Sequence, residues 1–406
     1  MALILLGFRR LAAFWTRVEV NTMRHHNSVF HSLQKHIPWP VFDRLVDKHG
    51  TDHRVRRLDS KSQFLAILFG QLSGATSLRE IETGLLSHSN QLYHLGARCP
   101  ARSTLADANA SRSWALFGDL FAHMAAHANR QTRRAMADAV HILDATRLRL
   151  SGASGSWLRA QKGHWAAKLH VVYDPDGDQV VHADVTPQQV NDITCAQTMP
   201  IEPGTTYVFD LAYYDYKWWA RLNQQGCRIV SRLKSHTRLE RTTQQAVPEG
   251  EDILSDCVGY LPAKQSHSRH NPFTDPVREI KVRISTGKLI RIVTNDLEAP
   301  AIQIAELYKR RWQVELFFKW IKQNLKIRHF LGTSENAVRI QIFVALIAHL
   351  LLRIAQATQT QIKQPLAFAR LIRLNLMHKR PINALKKPIE PPPKYPGQLT
   401  LDIDTC

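Results

Sequence analysis

The chain has 406 residues, and its 54 Lys and Arg against 34 Asp and Glu give a net charge of +20, which favours an anionic polymer such as DNA as partner. Hydrophobic residues make up 44% of the composition, which argues against a disordered chain and allows two or three domains with their own cores. The five cysteines are scattered without a C-x2-C pair, so neither a disulfide framework nor a zinc site is expected.

Residues 1–26 are expected to be an upstream extension or disordered. Met1 to Gly7 is apolar, but Arg9-Arg10 follow the apolar run and there is no convincing small-residue cleavage site, so a signal peptide is not expected. Met23 offers an alternative start. The longest later apolar run, Ile342 to Leu352, is too short to span a bilayer, so no membrane partner is expected.

Residues 27–134 show apolar residues at helical spacing and predict an all-α domain. Ser77 with Glu80 and Ser103 with Asp107 are capping signals near helix starts. The segment that begins at Arg102 could open a recognition helix, although short matches of this kind also arise by chance. Basic residues cluster in the same region: Arg54, Arg56, Arg57, Arg102 and Arg112. We therefore expect this domain to bind DNA.

Strand patterns begin near residue 136 and run in the order Val140–Thr146, Ala167–Tyr173, Gln179–Val185, Thr206–Asp210 and Cys227–Leu233. The first three runs predict an antiparallel meander, and helices are expected before and after the fourth. This order predicts an α/β, RNase H-like catalytic core, in which a mixed sheet is flanked by helices. The first and fourth strands are neighbours in such a sheet, so Asp144 and Asp210 are expected to lie close together.

The predicted catalytic domain covers residues 135–353 and contains a β-rich insertion at about 235–297, with late strands at Val277–Ile284 and Leu289–Thr294. Its basic residues, which include Lys264, Arg278, Lys281 and Arg283, suit a DNA-facing module or, almost equally, a solvated hairpin. Residues 354–406 are expected to form a tail that is basic and partly helical at first and proline-rich after Pro388.

A single amphipathic helix is predicted from Ile304 to Leu325. It carries Tyr308, Arg311, Glu315 and Lys322 with the spacing Y-x2-R-x3-E-x6-K. At about 100° per residue these four positions fall within roughly 60° of one face. The other faces are apolar, as in a helix packed on a core. Read without further context, the polar face could equally be solvated and hold a Glu315–Lys322 ion pair.

The spacing resembles the YREK signature of the DDE transposases of the bacterial insertion-sequence-four family. All four positions match, and the segment from His329 to Val338 is also similar to that family. The resemblance covers most of residues 27–352. It implies a cut-and-paste enzyme that binds the terminal inverted repeats of its own insertion sequence, cuts the DNA and joins the ends to target DNA.

Phosphodiester transfer needs an activated nucleophile and a neutralised leaving oxygen, and two divalent ions held by carboxylates provide both. Asp144, Asp210 and Glu315 are the expected catalytic residues and metal ligands, and hard oxygen ligands favour two Mg2+ or Mn2+ ions. Tyr308, Arg311 and Lys322 are expected to contact DNA phosphates. The resemblance also implies a homodimer in the synaptic complex, a hairpin intermediate and a cytoplasmic, nucleoid-associated bacterial protein.

Several alternatives remain open. Asp210 is followed by Leu211-Ala212-Tyr213, where the family usually has Arg-Gly-Tyr, and Asp215 is the fallback ligand, although a helix cap explains it better. Lys168 and His170 could line the groove or face solvent. The aromatic residues at 213–219 could include a base-stacking side chain, but core packing is favoured. The chain could also be an inactive, transposase-derived DNA-binding protein or repressor, or an RNase H-type nuclease without strand transfer.

Overall fold

The computed structural model describes residues 27–135, 139–160, 162–247, 252–266, 269–284, 286–325, 327 and 329–388. The extension predicted at 1–26 and most of the proline-rich end, from residue 389, lie outside this description. Within the described residues, a group of helices precedes a large mixed sheet and further helices follow it. The predicted α/β class with helices at the N-terminus is therefore confirmed.

The N-terminal part is helical, as predicted. The helices are α1 Val29–Gln34, α2 Trp39–His49, α3 Ser60–Ser73, α4 Leu78–Leu86, α5 Ser89–Leu95, α6 Arg102–Ser111 and α7 Ala115–Ala135. Helix α3 is buried along nearly its whole length and forms the centre of the group.

One of the two predicted capping signals is confirmed. Ser77 caps α4 by accepting a hydrogen bond from the amide of Glu80. The second signal is wrong, because Ser103 lies inside α6, whose N-cap is Ala101.

The central sheet has the strand order of an RNase H-like core. Its first five strands are β1 Val140–Leu150, β2 Trp165–Asp174, β3 Gln179–Pro187, β4 Thr206–Val208 and β5 Arg228–Arg232. They are arranged in the order β3-β2-β1-β4-β5, with β1–β2 and β2–β3 antiparallel and β1–β4 and β4–β5 parallel. Helices α8 Asp192–Thr198 and α9 Tyr216–Gln224 lie in the connections around β4. The first and fourth strands are neighbours, as predicted.

The β-rich insertion continues this same sheet. Strand β11 pairs with β5, and the order then runs through β10 and β7 to β6, so nine described strands form one sheet. The strands are β6 Glu240–Gln244, β7 Ile253–Tyr260, β10 Val277–Arg283 and β11 Leu289–Thr294, and a separate hairpin joins β8 Lys264–Ser266 to β9 Arg269–His270. Arg278 does not face DNA as expected, because its buried guanidinium binds Asp256 at 2.6 and 2.8 Å.

The helices after the sheet are α10 Ala301–Arg310, α11 Trp312–Asn324, α12 Glu335–Ala357 and α13 Pro365–Asn375. Helix α12 is long and apolar enough to cross a membrane, but 94% of its most apolar window is buried inside the protein, as in a core helix. It packs against α3, α6 and α7 as well as β3. Helix α13 packs on α3 and α12, so this stretch of the predicted tail is folded onto the N-terminal helices.

The two faces of the sheet border different apolar clusters. One cluster contains Ile142, Val208 and Val230 together with α12 and the N-terminal helices. The other contains Leu143, Tyr207 and the aromatic residues of α9. The helical N-terminal part and the central sheet therefore share a continuous core.

Candidate active site

Asp144 and Asp210 lie at the same end of two adjacent parallel strands. Ile142 of β1 is paired with Val208 of β4, and each acid lies two residues further on. Because side chains alternate along a strand, both carboxylates belong to the face that carries Ile142 and Val208. Asp210 opens a short 3-10 turn and accepts the amide of Ala212 at 2.8 Å.

Glu315 lies on α11, and the helix that carries the YREK spacing is interrupted at its centre. The predicted single helix is wrong, since α10 ends at Arg310 and α11 begins at Trp312. Arg311 keeps helical dihedral angles, but the Arg311 amide donates to the Tyr308 carbonyl and the Val314 amide to the Arg311 carbonyl, so this turn has i to i−3 bonds. Neither Gly nor Pro marks the break in the sequence.

Arg311 joins Glu315 to Asp144. Its Nη2 lies 2.7 Å from Oε1 of Glu315, and its Nη1 lies 3.6 Å from Oδ2 of Asp144. The hydroxyl of Tyr308, one turn earlier, interacts electrostatically with the same guanidinium. The side chains of Asp144 and Arg311 are each 19% exposed and that of Glu315 is 35% exposed, so this ion pairing is partly shielded from solvent. Three of the four signature residues therefore meet beside the first predicted acid.

The charges of Asp210 and Glu315 both act on Asp144. Burial raises the pKa of Asp144 to about 6, and the negative charges of Asp210 and Glu315 add to the rise. The Ala145 amide and the Arg311 guanidinium act in the opposite direction. Carboxylates that repel one another in a shielded place are stabilised by a bound cation.

The donor set fits a hard divalent cation, because three carboxylates supply the oxygen ligands that Mg2+ and Mn2+ prefer. Among the described residues, however, no three His, Cys, Asp or Glu side chains are close enough together to form a ligand group. Arg311 occupies the contact to Glu315 instead. The chemistry of the residues thus suits a metal, while their arrangement shows the acids bridged by an arginine.

Lys322 lies beside the same strand. Its Nζ is 2.5 Å from Oγ1 of Thr146, which is two residues beyond Asp144 on β1 and belongs to the same face. Thr146 is not among the site residues predicted from the sequence, although its position two residues beyond Asp144 on the same strand places it on the same face. The fourth signature residue is therefore also at the site.

The neighbouring acids have structural roles. Asp215 caps α9 by accepting the amide of Trp218 at 2.8 Å, which supports the interpretation of a helix cap. Asp192 lies in the first turn of α8 and pairs with Lys168 at 2.8 Å. His170 is fully buried and pairs with Ala145 across the strands, so it belongs to the face opposite Asp144 and neither lines the groove nor faces solvent.

The aromatic residues that follow Asp210 pack in the core. Each of Tyr213, Tyr214, Tyr216, Trp218 and Trp219 is at most 8% exposed, and all belong to the apolar cluster around α9. This confirms the favoured interpretation. None of these rings is available for stacking against a base in this arrangement.

One further charged residue reaches the site from β5. Val230 of β5 is paired with Val208 of β4, so Arg232 lies level with Asp210. Arg232 is not among the site residues predicted from the sequence. Its signal was its place at the end of the strand that follows the one ending in Asp210.

Most of the chain is similar to known proteins. Residues 136–351 match the family model described as the transposase DDE domain, and residues 25–98 match a domain of unknown function, DUF4372. A protein of Sinorhizobium fredii named as a transposase, y4zB, is 39% identical over 73% of this chain and 83% of its own. The chain belongs to the DDE transposase family.

Other relatives of this transposase are named after insertion sequences. A Geobacillus stearothermophilus protein named as the transposase of insertion sequence element IS5377 is 30% identical over 63% of this chain and 67% of its own. The transposase of IS231B from Bacillus thuringiensis subsp. berliner is 24% identical over 45% of this chain and 48% of its own. A piggyBac transposase synaptic complex with hairpin DNA aligns with a TM-score of 0.46 and 12% identity, over 88% of this chain and 83% of that chain.

Proposed function

We propose that this transposase binds the terminal inverted repeats of its own insertion sequence, cuts the DNA at the element ends and joins the free 3'-hydroxyls to target DNA. The observation that carries the proposal is the meeting of Asp144 and Asp210 at the same end of adjacent strands, with Glu315 linked to Asp144 through Arg311. The match of the YREK spacing supports placing the chain in the insertion-sequence-four family.

Asp144, Asp210 and Glu315 would hold two Mg2+ or Mn2+ ions. When bound, such ions lower the pKa of an attacking water or 3'-hydroxyl and neutralise the leaving oxygen. The chain itself supplies cations for the DNA phosphates. Arg311 can offer a planar fork to a phosphate once it leaves the carboxylates, and Lys322, held beside β1, offers a point charge.

The helical part, proposed as a domain over 27–134, is the proposed reader of the terminal repeats. Arg54, Arg56 and Arg57 lie exposed in the loop before α3. That loop and α6 line an open cavity of about 520 Å3. A cationic loop beside an exposed helix is a suitable surface for phosphates and base edges. We extend the proposal to a homodimeric synaptic complex and to action on DNA in the bacterial cytoplasm.

The test is Mg2+-dependent cleavage of a plasmid that carries the DNA flanking this gene. Wild-type protein should cut at the element ends, and Glu315→Gln should lower the rate of cleavage by more than about a hundredfold. Mutation of a residue that only contacts a metal ligand lowers activity by up to about a hundredfold, so the loss of a ligand should lower it further. Glu306→Gln, an exposed change of the same kind on α10, is the matched control and should cut normally.

Two results would contradict the proposal. If wild-type and mutant protein both bind the ends and neither cuts, the chain is an inactive DNA-binding relative or repressor. If the wild-type protein cuts the ends but a pre-cut end yields no strand-transfer product, the protein is a nuclease rather than a transposase.

A further inference from the structure

Arg232 completes a row of charged residues across three adjacent strands. Ile142, Val208 and Val230 are aligned across β1, β4 and β5, and all three belong to the same apolar cluster. Asp144, Asp210 and Arg232 each lie two residues beyond this aligned set. Alternation of side chains therefore gives them the same face and the same end of the sheet.

The guanidinium of Arg232 has unused hydrogen-bonding capacity. Its Nε is buried and has no hydrogen-bond partner among the described residues. Nearby strand arginines are paired: Arg228 with Asp296 at 2.8 Å, Arg278 with Asp256 at 2.6 Å and Arg291 with Glu279 at 2.6 Å. A buried donor without a partner is costly, so a native example calls for an explanation such as an absent ligand.

Arg232 also faces the signature helix. Burial raises the pKa of the Tyr308 hydroxyl, and the positive charges of Arg311 and Arg232 act against this rise. Arg311 contacts the acids from the helix side, whereas Arg232 approaches from β5. Arg311 and Arg232 thus belong to different elements, and Arg232 follows Asp210 in the row on the β5 side. A phosphodiester held at the acids would need such cations around its non-bridging oxygens.

We propose that Arg232 binds a non-bridging oxygen of a DNA phosphate held in the catalytic centre, either the phosphate that is cut or one next to it. This inference rests on the proposed function. It adds a substrate-binding residue from β5 to the YREK residues on the helices. The free Nε and the two terminal nitrogens of Arg232 give it a planar fork that suits a phosphate.

The test measures binding of the full chain, in EDTA so that no cutting occurs, to duplexes that contain one element end. One duplex has natural phosphates throughout. Each of three further duplexes carries a single uncharged methylphosphonate, placed at a different one of the three phosphates nearest the cut. Arg232→Gln should weaken binding to the natural duplex about tenfold, as for a lost charge-assisted hydrogen bond. On the duplex whose contacted phosphate is uncharged, Arg232→Gln should bind as well as wild type.

The control is Arg238→Gln, which removes the same charge from an exposed site in the next loop. Any loss of affinity in this variant relative to wild type should be the same for every duplex. Thermal unfolding of Arg232→Gln checks that the chain still folds, and Arg232→Lys should recover only part of the loss. If Arg232→Gln lost the same factor in affinity on all duplexes, the assignment of Arg232 to a phosphate near the cut would be wrong, but the proposed function would stand. If the wild-type chain bound element ends no better than a scrambled duplex, the proposed function would fail, and this inference with it.

Discussion

Asp144 carries a charge at neutral pH although it is largely buried, and this has a cost in stability. Its pKa of about 6 in the folded protein lies above the ordinary value of 3.8. As the pH rises from 3.8 to 6, the unfolded chain releases the proton first, so the free energy of unfolding falls across this window. Above pH 6 the full cost of holding this buried charge is present. The difference between the two pKa values, reduced for the partial access of solvent to the carboxylate, corresponds to about 2 kcal/mol of lost stability.

Asp144→Asn should therefore stabilise the metal-free protein while abolishing cleavage. Asn keeps an oxygen for the Ala145 amide and removes the charge, so the free energy of unfolding should rise by about 2 kcal/mol at pH 7.5 in EDTA. The gain should shrink as the pH falls towards 4. Thermal or urea unfolding measures it, with Asp215→Asn as a control that keeps its helix cap. A lower stability of Asp144→Asn at pH 7.5 would contradict this account.

At the scale of elements, α11 and α12 meet around a neutral histidine. His349 of α12 lies between Phe317 and Trp320 of α11, with ring centroids 5.2 and 5.0 Å away. Complete burial lowers the pKa of His349 to about 4 from 6.5. The unfolded chain therefore binds a proton first as the pH falls, and the contact between the helices loses stability from pH 6.5 down to pH 4.

His349→Phe should flatten this pH dependence. Phe fills the aromatic site without titrating, so the variant should differ little from wild type at pH 7.5 and be more stable at pH 5, with a gain that approaches about 3 kcal/mol near pH 4. Thermal unfolding of both proteins from pH 5 to pH 7.5 measures the difference. His36, whose pKa burial also lowers to about 4, is present in both proteins and cancels. Parallel pH profiles for the two proteins would refute the explanation.

The elements also show what the sequence could and could not predict. Strands β1 to β5 were predicted because each carries its own alternating or apolar pattern, and the RNase H-like order then followed from their sequence. The bounds of β10 and β11 were predicted within one residue, but the pairing of β11 with β5 was not. Strand pairing depends on a partner that is distant in the sequence, and no local pattern identifies that partner. The break at Arg311 was missed for a related reason, since helical angles persist there without Gly or Pro.

At the scale of the whole molecule, the helical and catalytic parts are held together by α12. Phe343 on this helix is 3% exposed, and its ring stacks on that of Trp114 with 5.5 Å between the ring centroids. The ring of Phe121 lies 6.1 Å away on the same measure. The proposed boundary near residue 135 could not show this, because the shared helix comes some 200 residues later in the sequence. The expected acids, in contrast, rest on local signals, which are the ends of two apolar strands for Asp144 and Asp210 and the YREK spacing for Glu315.

Phe343→Ala should destabilise both parts at once. Loss of a buried aromatic ring costs about 3–5 kcal/mol, and helical signal and tryptophan fluorescence should be lost in one coincident, earlier transition. Leu374→Ala, at a leucine that is 73% exposed on α13, should change the free energy of unfolding by no more than about 0.5 kcal/mol. Two separate transitions in the wild-type chain would show that the parts fold independently.

The position of α12 limits how this transposase can exchange parts. A recombination joint near residue 135 would replace α1 to α7 but retain α12 and α13, whose side chains fit the old helices. Backbone bonds from Val29 and Phe30 to the carbonyls of His378 and Leu376 would be lost as well. Under the proposed role of the helical part in reading the terminal repeats, new end sequences would therefore be acquired more easily by substitutions on the exposed loop of Arg54, Arg56 and Arg57 and on α6 than by exchange of the whole N-terminal part.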